Sequence, residues 1–325
     1  MNTVSRRLVL NTLAAGVLAA MTSFAQAQDM KLVSVTAIVD HPALDSARKG
    51  IEDELKALGF EAGKTMKYQY QSAQGNPATA GQIAKKFVGD KSDVIVAIAT
   101  PSAQAAAAST KTIPVVFTAV TDPVAAKLAK DWKPSGTNIT GVSDKLTLAS
   151  QVDLILKVKP NAKNVGMVYS PGEVNSVSVA KELKTELQKR GLQLVEAAAP
   201  RTVDVAPAAK SLIGKVDVIY TSTDNNVVST YESLVRVASD AKIPLVAADT
   251  DSVKRGASAA LGMNYYDMGR QTGRIVARIL KGEAPGSIAP QLGDKVSLTV
   301  NPEAAKKQGN PLPDALLKEA KEVIK

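Results

Sequence analysis

The stretch Asp93–Val116 reads DVIVAIATPSAQAAAASTKTIPVV, and the stretch Asp217–Val246 reads DVIYTSTDNNVVSTYESLVRVASDAKIPLV. Each holds an apolar strand, a polar turn, a helix-length segment, and then Ile-Pro opening a second apolar strand. The segments ahead of them match as well: ARKGIEDELKALGF (Ala47–Phe60) against VAKELKTELQKRGL (Val179–Leu192). One chain therefore carries two similar α/β halves. In open α/β sheets, ligands bind beyond the carboxyl ends of the strands. Two lobes that face each other there enclose a cleft.

The predicted strands are short apolar runs with little alternation: Leu32–Val39, Val94–Ala99, Ile113–Phe117, Val165–Tyr169, Val216–Tyr220 and Ile243–Ala247. Such runs belong to parallel sheets covered by helices on both faces. Between them, Ala180, Leu183 and Leu187 recur at helical spacing and mark one buried stripe. Gly191 follows as a C-cap, and Gly59 closes Ile51–Leu58 in the same way. The expected fold class is α/β: two doubly wound parallel-sheet lobes joined by a hinge.

The Gly/Pro/Asn-rich region Lys133–Val142, KPSGTNITGV, marks the boundary between lobes. The C-terminal part is no third repeat, which implies a chain that crosses back. The expected division is residues 28–142 plus about 263–290 for lobe 1, and 143–262 plus about 291–325 for lobe 2. Residues 1–27 read as a signal peptide. Arg6 and Arg7 form a basic start, Leu8–Ala20 is apolar but too short to span a bilayer, and Ala25-Gln26-Ala27 is a small-x-small cleavage signal. Ser5-Arg6-Arg7-Leu8 fits a twin-arginine route as well as the general secretory one. The expected location is the periplasm.

The chain has no cysteine, so core packing alone must hold it. A lipid-modified cysteine after the leader is also excluded. Net charge is +9, but the lysines sit among acids on helix faces, as in Lys181-Glu182-Leu183-Lys184. Aromatic residues make up 4% of the chain, too few for base-stacking platforms, so nucleic acid is not an expected partner.

Aligning the halves at Asp93 and Asp217 sets Thr100-Pro101-Ser102 against Asp224-Asn225-Asn226, each where a strand ends and a helix begins. Helix N-termini offer free N–H groups and favour anions, so Thr100 and Ser102 suit a carboxylate. Asp224 would repel an anion and suits an ammonium instead. Together they suggest a zwitterion held across the cleft; for each residue alone, ordinary capping explains as much. The first loops, Asp40-His41-Pro42 and Ser170-Pro171-Gly172, also face the cleft. Asp40 or Asp45, and Asn175 or Ser176, could meet an amine or hydroxyl. Thr118, Asp122 and Asp249 follow the Ile-Pro strands, and Asp249 is the second ammonium candidate. Tyr169, Tyr220, Phe117 and Tyr265 are aromatics near strand ends or a hinge. His41 is the sole histidine; it cannot build a multi-histidine metal site, and no nucleophile partners it. No catalytic residue, metal or cofactor is expected.

The segments IVDHPALDSARKGI, ATPSAQAA, FTAVTDPVAA, NITGVSD, YSPGEVNS and STDNNVVS occur in this order. They resemble the ABC-transporter substrate-binding family, and within it the branch associated with tryptophan and tyrosine transport. The resemblance implies a type I periplasmic-binding fold that closes on one small amino-acid-like ligand, as a monomer, and docks on an inner-membrane permease. It carries the ligand region onto His41, Pro42, Thr100, Ser102, Thr118, Asn175, Thr223, Asp224 and Asp249. Asp40 departs from the family pattern, where Glu is expected. Two other classes stay open at this point. One is a sensory binding protein with the same lobes. The other is an α/β hydrolase, which would need a nucleophile–base pair that the sequence does not offer.

Overall fold

The structure is a computed structural model that describes residues 30–324. The predicted leader and its cleavage point lie outside the described residues. The first sheet is built from β1 (Lys31–Ala37), β2 (Met66–Ser72), β3 (Val94–Ile98), β4 (Val115–Thr118), β5 (Ile139–Ser143) and β11 (Gln291–Leu292). Their order is β11-β5-β4-β3-β1-β2, and every pairing is parallel. The second sheet holds β6 (Asn164–Tyr169), β7 (Gln193–Ala198), β8 (Val218–Thr221), β9 (Leu245–Asp249), β10 (Ala259–Met263), β12 (Val296–Val300) and β13 (Glu322–Val323). Its order is β13-β12-β10-β9-β8-β6-β7, parallel except where β12 runs against β10.

The first five strands of each sheet follow one pattern: 2-1-3-4-5 in the first, and 7-6-8-9-10 in the second. Each sheet therefore reverses its winding between its first and third strands, at β1/β3 and at β6/β8. Such a switch point opens a crevice at the strands' carboxyl ends. The repeat seen in the sequence is thus a repeat of topology.

Helices cover both faces. Those that frame the cleft are α1 (Pro42–Ala57), α3 (Thr100–Ser109), α5 (Val174–Gln188) and α7 (Asn225–Ser229), following α2 (Pro77–Gly89), α4 (Leu148–Val158) and α6 (Val205–Ser211) in chain order. β3, β4 and β5 are buried along their whole length because helices pack on either side. One core fills the first lobe around Val33, Val96, Phe117 and Ile51. The second lobe has a core on each face of its sheet, one around Val152, Leu183 and Tyr220, the other around Ile219, Tyr231 and Leu234.

β2 and β7 were not among the sequence-predicted strands. Both lie at the free edge of a sheet, and both read as mixed polar runs, MKYQYQS and QLVEAA. An edge strand keeps one flank in water, so its apolar signal is weak.

The chain passes between sheets three times. After β5 it enters α4, which packs in the second lobe. After β10 it enters a helix of the first lobe, Tyr265–Leu280, numbered α10 after α8 (Tyr231–Ala241) and α9 (Asp251–Lys254). After β11 it returns to the second sheet as β12. α10 crosses α1 at very short range. A Cβ on Gly269 would lie 2.0 Å from the Ala47 carbonyl oxygen, and one on Gly50 would lie 2.2 Å from that of Tyr266. Only glycine permits this approach.

Candidate functional site

A cavity lies between the lobes where the carboxyl ends of both sheets meet. Ala99 and Ala119 line it at the ends of β3 and β4, with His41 at the start of α1. Asn225 and Asp249 line it from the second lobe, and Asp144, Thr223 and Tyr265 complete it. It is narrow, with about 10 Å³ open to the centre of a water-sized sphere. Ala99 and Ala119 take φ values of 73° and 54°, a left-handed backbone that costs a side chain about 1 kcal/mol or more. Both strained residues face the cavity, a placement typical of ligand contacts.

Thr100 and Ser102 form the first turn of α3, directly after Ala99. Both are buried, at 1% and 0% exposure, and both hydroxyl oxygens have no hydrogen-bond partner among the described residues. The first N–H groups of a helix have no intrahelical acceptor, and Pro101 has no N–H, which leaves those of Thr100 and Ser102. These four polar groups suit an anion.

Asp144 stands at the first crossing between lobes. Its Oδ2 accepts from the Tyr265 hydroxyl at 2.6 Å, while its Oδ1 is buried with no partner. Burial pushes its carboxyl up from the usual range, against the pull of the Tyr265, Thr121 and Thr223 hydroxyls. Asp249 is also buried. Ser252 N–H and hydroxyl donate to its two oxygens at 2.8 and 2.6 Å, and burial pushes its carboxyl up as well.

His41 caps α1, with the Leu44 N–H 3.4 Å from Nδ1. Burial and then the nearby Arg255 charge push the imidazole down to about 3, so it is neutral. That leaves Nε2–H as a neutral donor on the cavity wall.

The remaining residues singled out from the sequence are placed differently. Asp224 is fully buried and already saturated. Ser170 N–H and Ser176 hydroxyl donate to Oδ2, each at 2.6 Å, and Ser170 hydroxyl and Val227 N–H donate to Oδ1 at 2.9 and 3.0 Å. It caps α7 and ties it to the loop before α5, and it does not line the cavity. Asn175 donates to Glu173 at 3.0 Å and keeps a buried, unpartnered Oδ1. Thr118 is buried with its hydroxyl 2.9 Å from that of Thr272 on α10. Pro42 is exposed at the first position of α1. Asp40 accepts from the Tyr70 hydroxyl and from Gln74, and Asp45 lies 3.8 Å from Arg48; neither lines the cavity. Phe117 is a core residue under β4, and Tyr169 is only half-buried.

Asp144, Asn225 and Ser222 were not among the sequence candidates. Asp144 directly follows β5, which lies largely within the stretch Lys133–Val142 that reads as the boundary between lobes, so the sequence marks no strand end there.

Side-chain contacts join the lobes across the cleft. Among them, the Ser178 hydroxyl of α5 donates to Asp122 Oδ2 at 3.1 Å, and the Thr121 and Thr223 hydroxyls lie 3.3 Å apart. Asp122 Oδ1 is held by the N–H groups of Val124 and Ala125.

Two doubly wound lobes, three crossings and a buried polar cavity between them define a two-lobed binding protein of type I periplasmic fold, shared with solved sugar-binding proteins. The family described as ABC transporter substrate binding protein matches residues 32–324, and the chain belongs to it. It is thus the solute-binding, non-enzymatic component of an ABC transporter. A tyrosine-binding protein of Clostridioides difficile (strain R20291) is 38% identical over 276 residues, 85% of this chain and 80% of that protein. The crystal structure of an ABC domain in complex with L-Trp from Streptococcus pneumonia is 33% identical, covering 91% of this chain and 100% of that one, with a TM-score of 0.87. The ligand-free, open structure of a substrate-binding protein with adhesive properties from Clostridium difficile is 38% identical, covering 91% and 99%, with a TM-score of 0.69. The L-Trp complex thus superposes better despite its lower identity.

Proposed function

We propose that the protein is a monomeric periplasmic receptor that delivers an aromatic amino acid to an inner-membrane permease. The observation that carries the ligand class is the pairing of unused polar groups at and beside one cavity. Thr100, Ser102 and the α3 N-terminus, which follow the cavity-lining Ala99, offer hydroxyls and N–H groups to a carboxylate. Asp144 offers a buried, unpartnered oxygen to an ammonium, with Asp249 as a second acceptor. A ligand ammonium would restore the partner that Asp144 lacks, since a buried charge requires pairing. His41, Thr223 and Asn225 line the same space. Asp224 and Asn175 brace the second lobe's wall, and Thr118 braces α10. Relatives that bind tyrosine or hold L-Trp support the same class. Export by the leader, with cleavage after Ala27, agrees with a component that works outside the inner membrane.

A thermal-shift panel of amino acids, sugars and nucleosides, followed by titration calorimetry, tests this reading. Aromatic amino acids are expected to raise the melting temperature. Asp144→Asn is expected to weaken their binding at least about tenfold, the cost of losing a charge-assisted hydrogen bond of about 1.5–3 kcal/mol. The same change removes a buried charge, so the unliganded variant melts no lower than the parent. A sugar or nucleoside that binds while amino acids do not, or an unchanged affinity in Asp144→Asn, rejects the reading.

A further inference from the structure

Asp144 and Thr223 border a second cavity as well as the first. Leu146, Leu148, Val179, Tyr220 and Ala248 form the apolar part of its wall. Three charged groups stand at its rim, Asp122, Lys145 and Glu182. Lys145 bridges the two carboxylates, with Nζ 2.8 Å from Glu182 Oε1 and 3.5 Å from Asp122 Oδ2. Besides Asp144 Oδ1, one polar group in the wall is left over among the described residues. Ser222, 2% exposed at the end of β8, has a buried hydroxyl with no partner among them.

In an amino acid the ammonium and the side chain leave the same carbon. An ammonium held by Asp144, at the junction of the two cavities, therefore directs the side chain into one while the carboxylate occupies the other. The carboxylate belongs beside Ala99 and the start of α3, so the side chain belongs in the second cavity. That space suits an aromatic ring, because large apolar walls with one fixed polar group are what such rings select. We propose that Ser222 hydrogen-bonds a polar atom on the ligand's ring. It thereby makes the receptor selective for a phenol- or indole-bearing amino acid over one with a bare phenyl group. This rests on the ligand class argued above and adds the residue that reads the ring. A site built around a buried hydrogen bond rejects the analogue that cannot make it, because the hydroxyl is then left unpaired.

The test is calorimetry with L-tyrosine, L-tryptophan and L-phenylalanine on the parent, Ser222→Ala and Ser222→Cys. The parent is expected to bind tyrosine or tryptophan at least about tenfold more tightly than phenylalanine. Ser222→Ala should bring that ratio close to one and leave phenylalanine affinity within about twofold, which loss of a merely structural serine would not do. Ser222→Cys keeps the volume with a weaker hydrogen-bonding group, so it should give an intermediate ratio, and it carries the test if Ser222→Ala does not fold. Equal affinities in the parent, or a preference that survives Ser222→Ala, overturns the assignment. Binding of none of the three overturns the ligand class itself, and is distinguished by the parent protein alone.

Discussion

Glu173 and Asp224 bring two carboxyl groups together behind the second lobe's wall. Asn225 donates to Glu173 Oε2 through its N–H at 3.2 Å and its side-chain amide at 2.7 Å. Burial, and then the neighbouring Asp224, push the Glu173 carboxyl up to about 7. The folded protein therefore holds a proton that the unfolded chain, with an ordinary value of 4.5, gives up earlier. The resulting stability is fully present below about 4.5 and is lost as pH rises through 7. Glu173→Gln should melt higher than the parent at pH 8, with the difference vanishing near pH 5; equal melting temperatures at both pH values would refute the shift. At this scale the sequence is read least well. An Asp after a strand is the same letter whether it caps a helix or faces a ligand. Asp224 has all its acceptor positions filled by Ser170, Ser176 and Val227, and Asp144 has one oxygen unfilled. That difference depends on serines far away in the chain.

Between elements, the contact between α1 and α10 rests on missing side chains. Gly269→Ala would drive a Cβ into the Ala47 carbonyl, a backbone atom that cannot swing aside. The expected loss is about 2–4 kcal/mol, read as a lower urea midpoint; a midpoint unchanged within error would show that the helices can separate freely. Most inner strands were legible from the residues: the runs at Val94, Val165 and Val218 are strands, while β5 was read as part of the boundary between lobes because its Thr140 and Gly141 interrupt the apolar run. Their burial on both faces makes their composition speak plainly. The edge strands β2 and β7 lack that burial, and so lack the signal. The two-residue strand β11 is too short to show any period.

Across the whole molecule, the repeat foretold the matched winding of the two sheets, because equal strand order needs equal spacing of strands and helices. The contacts across the cleft were not legible, since they depend on groups brought together only by the three crossings. Ser178 and Asp122 are such a pair. Ser178→Ala removes the donor and leaves the Asp122 turn intact. Loss of one hydrogen bond of about 1 kcal/mol should lower ligand affinity by roughly fivefold. In the ligand-free state, small-angle scattering should give a larger radius of gyration than the parent. A compact variant with parental affinity would mean that this hydrogen bond does not hold the lobes together.

Asp144 sits in the joint itself, and under the proposed role its lone oxygen gives the joint a preference. A receptor that shuts on nothing traps a carboxylate short of one neighbour, whereas one that shuts on a cationic guest does not. The empty shape is thereby discouraged from imitating the loaded one, and the transporter is shielded from false alarms that would spend nucleotide without moving cargo.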